Sequence, residues 1–298
     1  MIINKQFPFY FYVLNKIKYE FLFLICLQLL LSFLTHRFYD DIPKMPIAIP
    51  AFLGTAISVL LSFKLNQSYD RWWEARKVWG SIVNESRSFV MQLQSLLANG
   101  NESQIRQIAF RHIAWCFSLG QSLRGLNPTE NLEKFISEDD AKRINTHNNK
   151  PLALLQLNTL QIAQLKNKGE LDIFSQIQLN TTLVNFSNAM GMAERIKSTE
   201  FPLTYRLFLH FVIYLFVITL SISLDEIDPL FEIPLVLVIP AAFFLLEKSA
   251  THLQDPFRNR PTDTAMTTIA TTIEINIKQL LNEKEIPQPY KPNGFYSL

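Results

Sequence analysis

Four-residue spacings pair the reactive side chains of this sequence: His112 with Cys116, and Arg206 with His210. Residues i and i+4 share one face of a helix. His112 and Cys116 would therefore offer an imidazole and a thiol side by side, as two ligands of a metal ion do. Two ligands do not make a site, and no third stands at a telling spacing. The expectation is a buried structural pair, with no metal and no cofactor. Arg206 and His210 lie in an apolar stretch, "TYRLFLHFVIYLFVITLSISL" (204–224). Ionisable groups in such a stretch are costly and must face protein or water. Arg206 sits near its end and can snorkel, which leaves His210 as the better functional candidate against a hydrogen-bonded interior histidine. There is no phosphate loop, nucleophile elbow, HExxH or CxxC pattern, so the expectation is a protein that is not an enzyme.

A second concentration of polar chemistry lies in "SVLLSFKLNQSYDRWWEARKVWG" (58–80), which changes from apolar to charged around Phe63 and Lys64. Trp72, Arg76, Trp79 and Gly80 fall on one side of a helix and Tyr69, Trp73 and Lys77 on a neighbouring side. The plain reading is a membrane interface, with indoles and the tyrosine at the headgroups, bases snorkelling, and Glu74 paired with Arg71 or Lys77. The sharper reading is a helix that lines or supports an ion path.

The elements that must position these residues are membrane helices. Apolar residues make up 48% of the 298 and charged residues only 18%, below the soluble share of about a quarter. Four apolar stretches stand out: 21–35, 47–63, 204–224 and 233–246. A spanning helix takes about 17–25 mostly apolar residues, so the second and third qualify outright. The first borrows flanking aromatics and the fourth is short. Lys and Arg gather before residue 20, through 64–200 and after 247, whereas "DEIDPLFE" (225–232) has four acids and no base. The positive-inside rule then places both termini and the long middle in the cytoplasm. Four spans are expected, at about 21–36, 47–63, 204–224 and 233–247, in a multi-pass protein of the cell membrane. No removable signal peptide is read at the N-terminus. A net charge of +2 gives no strong field for nucleic acid, and Cys26 and Cys116 make no disulfide framework.

The middle, 64–203, reads as helical throughout. Ile105, Ile108, His112, Cys116 and Leu119 fall near one face. Asn127-Pro128 has the form of a helix start, and Ser137 with Asp140 that of a capping box. With only eight glycines and almost no alternating β-branched runs, little sheet is expected. The fold class is all-α, with helix two running unbroken from lipid into water. Along it, Thr55, Val59 and Phe63 share one stripe and Leu53, Ile57 and Leu61 another. Periodicity does not say which faces a pore, lipid or the packed interior.

Three segments together resemble the bestrophin family in its bacterial form: "FLGTAISVLLSFKLNQSYDRWWEARKVWG", "AERIKSTEFPLTYRLFLHFVIYLF" and "LQDPFRNRPTDTAMTTIATTIEINIKQLL". They stand in the family's order and cover almost the whole chain as one bestrophin-like domain. The resemblance implies a homopentameric ion channel with four membrane helices per subunit, a large cytoplasmic helical part and one pore on the five-fold axis. It implies a membrane neck at Thr55, Val59 and Phe63 and a cytoplasmic aperture at Ile196. Lys64, His210 and Asp263 are pore-flanking or structural candidates. Apolar rings bind no ion, so such a neck works by size or dewetting.

This chain departs from the family at two places. Thr55 puts a hydroxyl where an aliphatic residue is usual, which predicts a wetter ring. In animal members, acids directly after Pro-Phe-Gly form a calcium clasp. Here Pro256-Phe257 is followed by Arg258, Asn259, Arg260 and Pro261, with Asp263 later. Calcium sites need oxygen-rich, acidic ligands, so no clasp is expected. The implied partners are the lipid bilayer, further copies of the chain and permeant monovalent ions, with chloride as the family default. A sodium- or cation-selective channel is the alternative and would draw attention to Asp225, Glu226 and Glu194. A non-conducting membrane scaffold is the remaining reading.

Overall fold

The computed structural model describes residues 9–38, 44–97, 100–199, 202–225, 227–260 and 263–290, with the backbone alone at 9–14, 36 and 229. Both chain termini, Glu226 and Pro261 lie outside the described residues, and so do the expectations that concern them. Among the described residues there are nine α-helices and no strand: α1 (Phe9–Arg37), α2 (Ala48–Leu96), α3 (Glu102–Arg124), α4 (Glu138–Asn145), α5 (Lys150–Asn167), α6 (Ile173–Ser198), α7 (Leu203–Leu224), α8 (Pro229–Gln254) and α9 (Met266–Leu280). The chain divides into two compact units, one of Gln6–Arg71 with Glu200–Gln254 and the other chiefly of Trp72–Thr199 with Asp255–Leu298.

The first unit holds α1, the Ala48–Arg71 part of α2, α7 and α8. All four helices are long and apolar enough to cross a membrane. The helix α2 has 49 residues without a break, about 73 Å at 1.5 Å per residue, against a hydrocarbon core of about 30 Å. The unbroken second helix expected from the sequence is therefore present. α8 is longer than its apolar run of 233–246, because the polar residues that follow find partners: Lys248 Nζ meets Glu20 Oε1 at 2.6 Å, and Ser249 Oγ accepts from Lys16 Nζ at 3.2 Å. It also runs through Pro234 and Pro240, each of which removes one backbone donor.

Leu24, Ile57, Leu61, Leu209, Ile213, Val217 and Phe244 form the core of this unit, each no more than 4% exposed. Gly54 lets α2 approach α7 closely. A Cβ at that position would lie 3.2 Å from Phe216 Cε2.

In the second unit α3 is the central element, packed against α5, α6 and α9. Ile105, Ile108, His112, Cys116 and Leu119 are all buried, as their spacing predicts, and so is most of the rest of the helix. The helix starts are locally encoded. Ser137 Oγ accepts from the Asp140 N–H at 3.2 Å, Asn149 Oδ1 from the Leu152 N–H at 3.0 Å, and Asp172 Oδ1 from the Phe174 N–H at 2.8 Å, each satisfying a donor that has no partner within its own helix.

The Asn127-Pro128 start is corrected. Asn127 Oδ1 does accept from the Thr129 N–H at 3.1 Å, but turns follow rather than a helix. Asn131 takes φ +59°, which breaks a right-handed run, and the turns carry Leu132 and Phe135 into the core. Trp79 is also corrected. It is no headgroup residue but is fully buried in this unit's core. Tyr69 and Trp73 are exposed, and Glu74 pairs with Lys77 at 2.6 Å.

Candidate functional site

Consecutive turns of α2 separate two faces sharply. Ile57 and Leu61 are 0% and 4% exposed and belong to the first unit's core, with Leu53 packed against it. Val59 and Phe63 are 50% and 63% exposed, and Thr55 is exposed with them. The two stripes that periodicity left equivalent are thus distinguished by packing. The Thr55 hydroxyl donates to Ala51 O at 2.9 Å, so its own helix satisfies it.

Lys64 follows Phe63 but is 1% exposed. Its Nζ lies 2.5 Å from Glu247 Oε1 and 3.0 Å from Thr251 Oγ1, and that hydroxyl donates to the same carboxylate oxygen at 2.9 Å. Glu247 is also 1% exposed. Burying two charges is tolerable when they pair and their remaining hydrogen-bonding capacity is met. Two turns of α8 and one of α2 are joined here by a lysine, a carboxylate and a hydroxyl. One turn away, Tyr205 Oη donates to Leu60 O at 2.7 Å, linking α7 to the same level of α2.

His210 of α7 stands beside this pair. Its Nε2 lies 3.6 Å from Glu247 Oε2, and its ring meets Phe244 edge-on at a centroid distance of 5.5 Å. Two of the sequence-derived candidates, Lys64 and His210, therefore converge on a residue that sequence reasoning did not select. The available signal was symmetric: Glu247 is the first charged residue after the apolar run 233–246, as Lys64 is after 47–63.

The other candidates lie in the second unit. Ile196 is 7% exposed and belongs to that unit's core in the single chain. Glu194 accepts from Asn149 Nδ2 at 2.8 Å. Asp263, 4% exposed, accepts from the Arg260 N–H at 3.0 Å, and burial pushes its carboxyl above the usual carboxylate range. Asp255, at the start of the same loop, is held by Arg258 at 2.5 Å and Lys197 at 3.6 Å.

His112 and Cys116 are both 0% exposed, with His112 Nε2 at 2.8 Å from Ser86 Oγ and 3.7 Å from Cys116 Sγ. The imidazole lies among Phe89, Trp115 and Phe186. Burial pushes the His112 pKa down to about 3 and the Cys116 thiol up, so neither is charged at neutral pH. The pair is packed into the core, with His112 Nε2 satisfied by Ser86 and the buried Nδ1 without a hydrogen-bond partner among the described residues. No group of three or more His, Cys, Asp or Glu side chains is placed to hold a metal among the described residues.

Known proteins match this architecture along its length. A protein of Escherichia coli K12 named voltage-dependent anion channel-forming protein YneE is 31% identical over 285 residues, covering 95% of this chain and 91% of that one. The Ralstonia nicotianae protein of the same description, RSc3414, is 29% identical over 79% of this chain and 78% of its own. A crystal structure of a bacterial bestrophin homolog from Klebsiella pneumoniae superposes with a TM-score of 0.81 at 26% identity, covering 89% of this chain and 99% of that chain. The family profile of bacterial and fungal bestrophin proteins matches residues 7–279. With that match running through all the helices described above, the chain belongs to the bestrophin family.

Proposed function

We propose that the whole chain acts as one subunit of a homopentameric, multi-pass channel of the cell membrane, conducting small monovalent anions, chloride first, along an axis lined by α2. The observation that carries this reading is the two-faced α2. Ile57, Leu61 and Lys64 turn into the unit while Thr55, Val59 and Phe63 remain open on the other side. Five such stripes around an axis make an apolar neck, which passes ions by width and wetting rather than by binding them. The relatives named as anion channel-forming proteins support the sign of the ion. Ile196 forms the cytoplasmic aperture in this reading. It draws that role from the resemblance alone, its side chain being 7% exposed in the single chain. Chemical turnover, metal and calcium have no part in it. The loop carboxylate nearest the family's clasp position, Asp255, is already neutralised by Arg258 and Lys197.

Thiol accessibility tests the pathway. In a background without Cys26, which is exposed, Val59→Cys and Phe63→Cys channels should be blocked by a charged methanethiosulfonate reagent added from water. Leu61→Cys, 4% exposed in the parent residue, should not. Equal labelling at all three positions, or block at Leu61 alone, contradicts the assignment of the lumen face.

A further inference from the structure

The Lys64–Glu247 pair sits one residue behind the proposed neck, on the packed side of the same helix turn as Phe63. We propose that Glu247 is a selectivity-determining residue: it masks the charge of Lys64, so that the apolar neck is flanked by a neutral pair instead of a ring of cations. This inference rests on the channel reading above and adds to it a residue on α8.

The argument is electrostatic. An apolar neck gives an ion no ligand, so the charges just behind its wall set the relative barrier for anions and cations. Lys64 is the charged residue on α2 nearest to Phe63, and its four-carbon stem could carry an ammonium towards water. The structure instead turns it inward, to a carboxylate at 2.5 Å with Thr251 completing the cluster. A paired lysine and carboxylate act on a passing ion as a dipole, whose influence is far shorter in range than that of a single charge. His210 Nε2 lies 3.6 Å from the second carboxylate oxygen, outside hydrogen-bond distance, so Lys64 and Thr251 are the closer partners of Glu247. Arg206, one turn before His210, is exposed and outside the cluster.

Removing one member should therefore unmask the other, in opposite directions. Glu247→Gln removes the carboxylate charge beside the lysine and should raise the chloride-to-sodium permeability ratio. Lys64→Met leaves the carboxylate and should lower it. An unscreened unit charge near a narrow, poorly hydrated passage is expected to change that ratio about two- to five-fold. The double variant Lys64→Met with Glu247→Gln should return to the parent ratio. The exchanged pair, Lys64→Glu with Glu247→Lys, should do so as well.

The measurement is the reversal potential of full-length channels in planar bilayers under a sodium chloride gradient, at neutral pH. Opposite shifts in the two single variants, restored in the double, support masking. Assembled channels in which both singles keep the parent ratio overturn it, as do shifts in the same direction. If Glu247→Gln fails to assemble, Lys64→Met and the exchanged pair decide. An exchanged pair that moves towards cation permeability shows that position 64 acts alone and that Glu247 masks nothing. Thiol labelling at Val59 and Phe63 reports separately on the pathway. A labelled neck with an unmoved ratio sinks the masking alone, whereas an unlabelled neck sinks the pathway on which it rests.

Discussion

Phe63 and Lys64 are neighbours on α2, about 100° apart around its axis, and differ sharply in exposure, Phe63 at 63% and Lys64 at 1%. The aromatic ring is turned out of the unit, and the ammonium is locked into it by Glu247. A helix held this way keeps its open stripe in a fixed orientation, as a constriction requires. In the proposed channel, Val59→Ala and Phe63→Ala should both raise single-channel conductance, by widening the proposed neck and letting water in. Leu53→Ala, on the packed stripe, should leave conductance unchanged. Planar-bilayer recordings of the three variants check this.

Stability should sort the same stripes in reverse. Ile57→Ala or Leu61→Ala empties part of the first unit's core and should cost about 2–5 kcal/mol. Val59→Ala, at a half-exposed position, should fall within about 0.5 kcal/mol of the parent. Thermal unfolding in detergent separates the two outcomes.

Gly54 permits the close approach of α2 to α7. A Cβ there meets Phe216 at 3.2 Å, and a branched side chain meets it harder. Gly54→Val should destabilise by about 1–3 kcal/mol through overpacking, with Gly54→Ala milder. Phe216→Leu should recover part of the Gly54→Val loss if the clash is the cause.

The sequence told much about the fold because its signals were local. Apolar length located the membrane helices, and the uninterrupted 58–80 segment foretold the continuous α2. Ser137 capped where its spacing said it would. What depended on distant partners was not legible. Nothing near Lys64 in the chain announces Glu247, 183 residues away. Trp79 looks like an interface indole until the core of the second unit closes around it. Asn127 makes the local bond of a helix start, yet Asn131 in the left-handed region turns the chain aside. The choice between the Thr55 and Leu53 stripes needed either the family resemblance or the packing of α7, because both stripes have the same period.

Acid should weaken the second unit through His112. Its folded pKa, about 3, lies below the ordinary 6.5, so between those values the unfolded chain binds a proton that the folded chain refuses. Stability is full above about pH 6.5 and falls by roughly 1.4 kcal/mol per pH unit below it. Unfolding measured at pH 7.5, 6 and 5 should show the decline. His112→Gln should flatten the share of it that this residue contributes.

The most direct measurement is the reversal potential of the purified parent protein in planar bilayers under a sodium chloride gradient. An anion channel gives a potential near the chloride equilibrium value. A potential near the sodium equilibrium value contradicts the anion assignment, and electrical silence from assembled protein contradicts the channel itself.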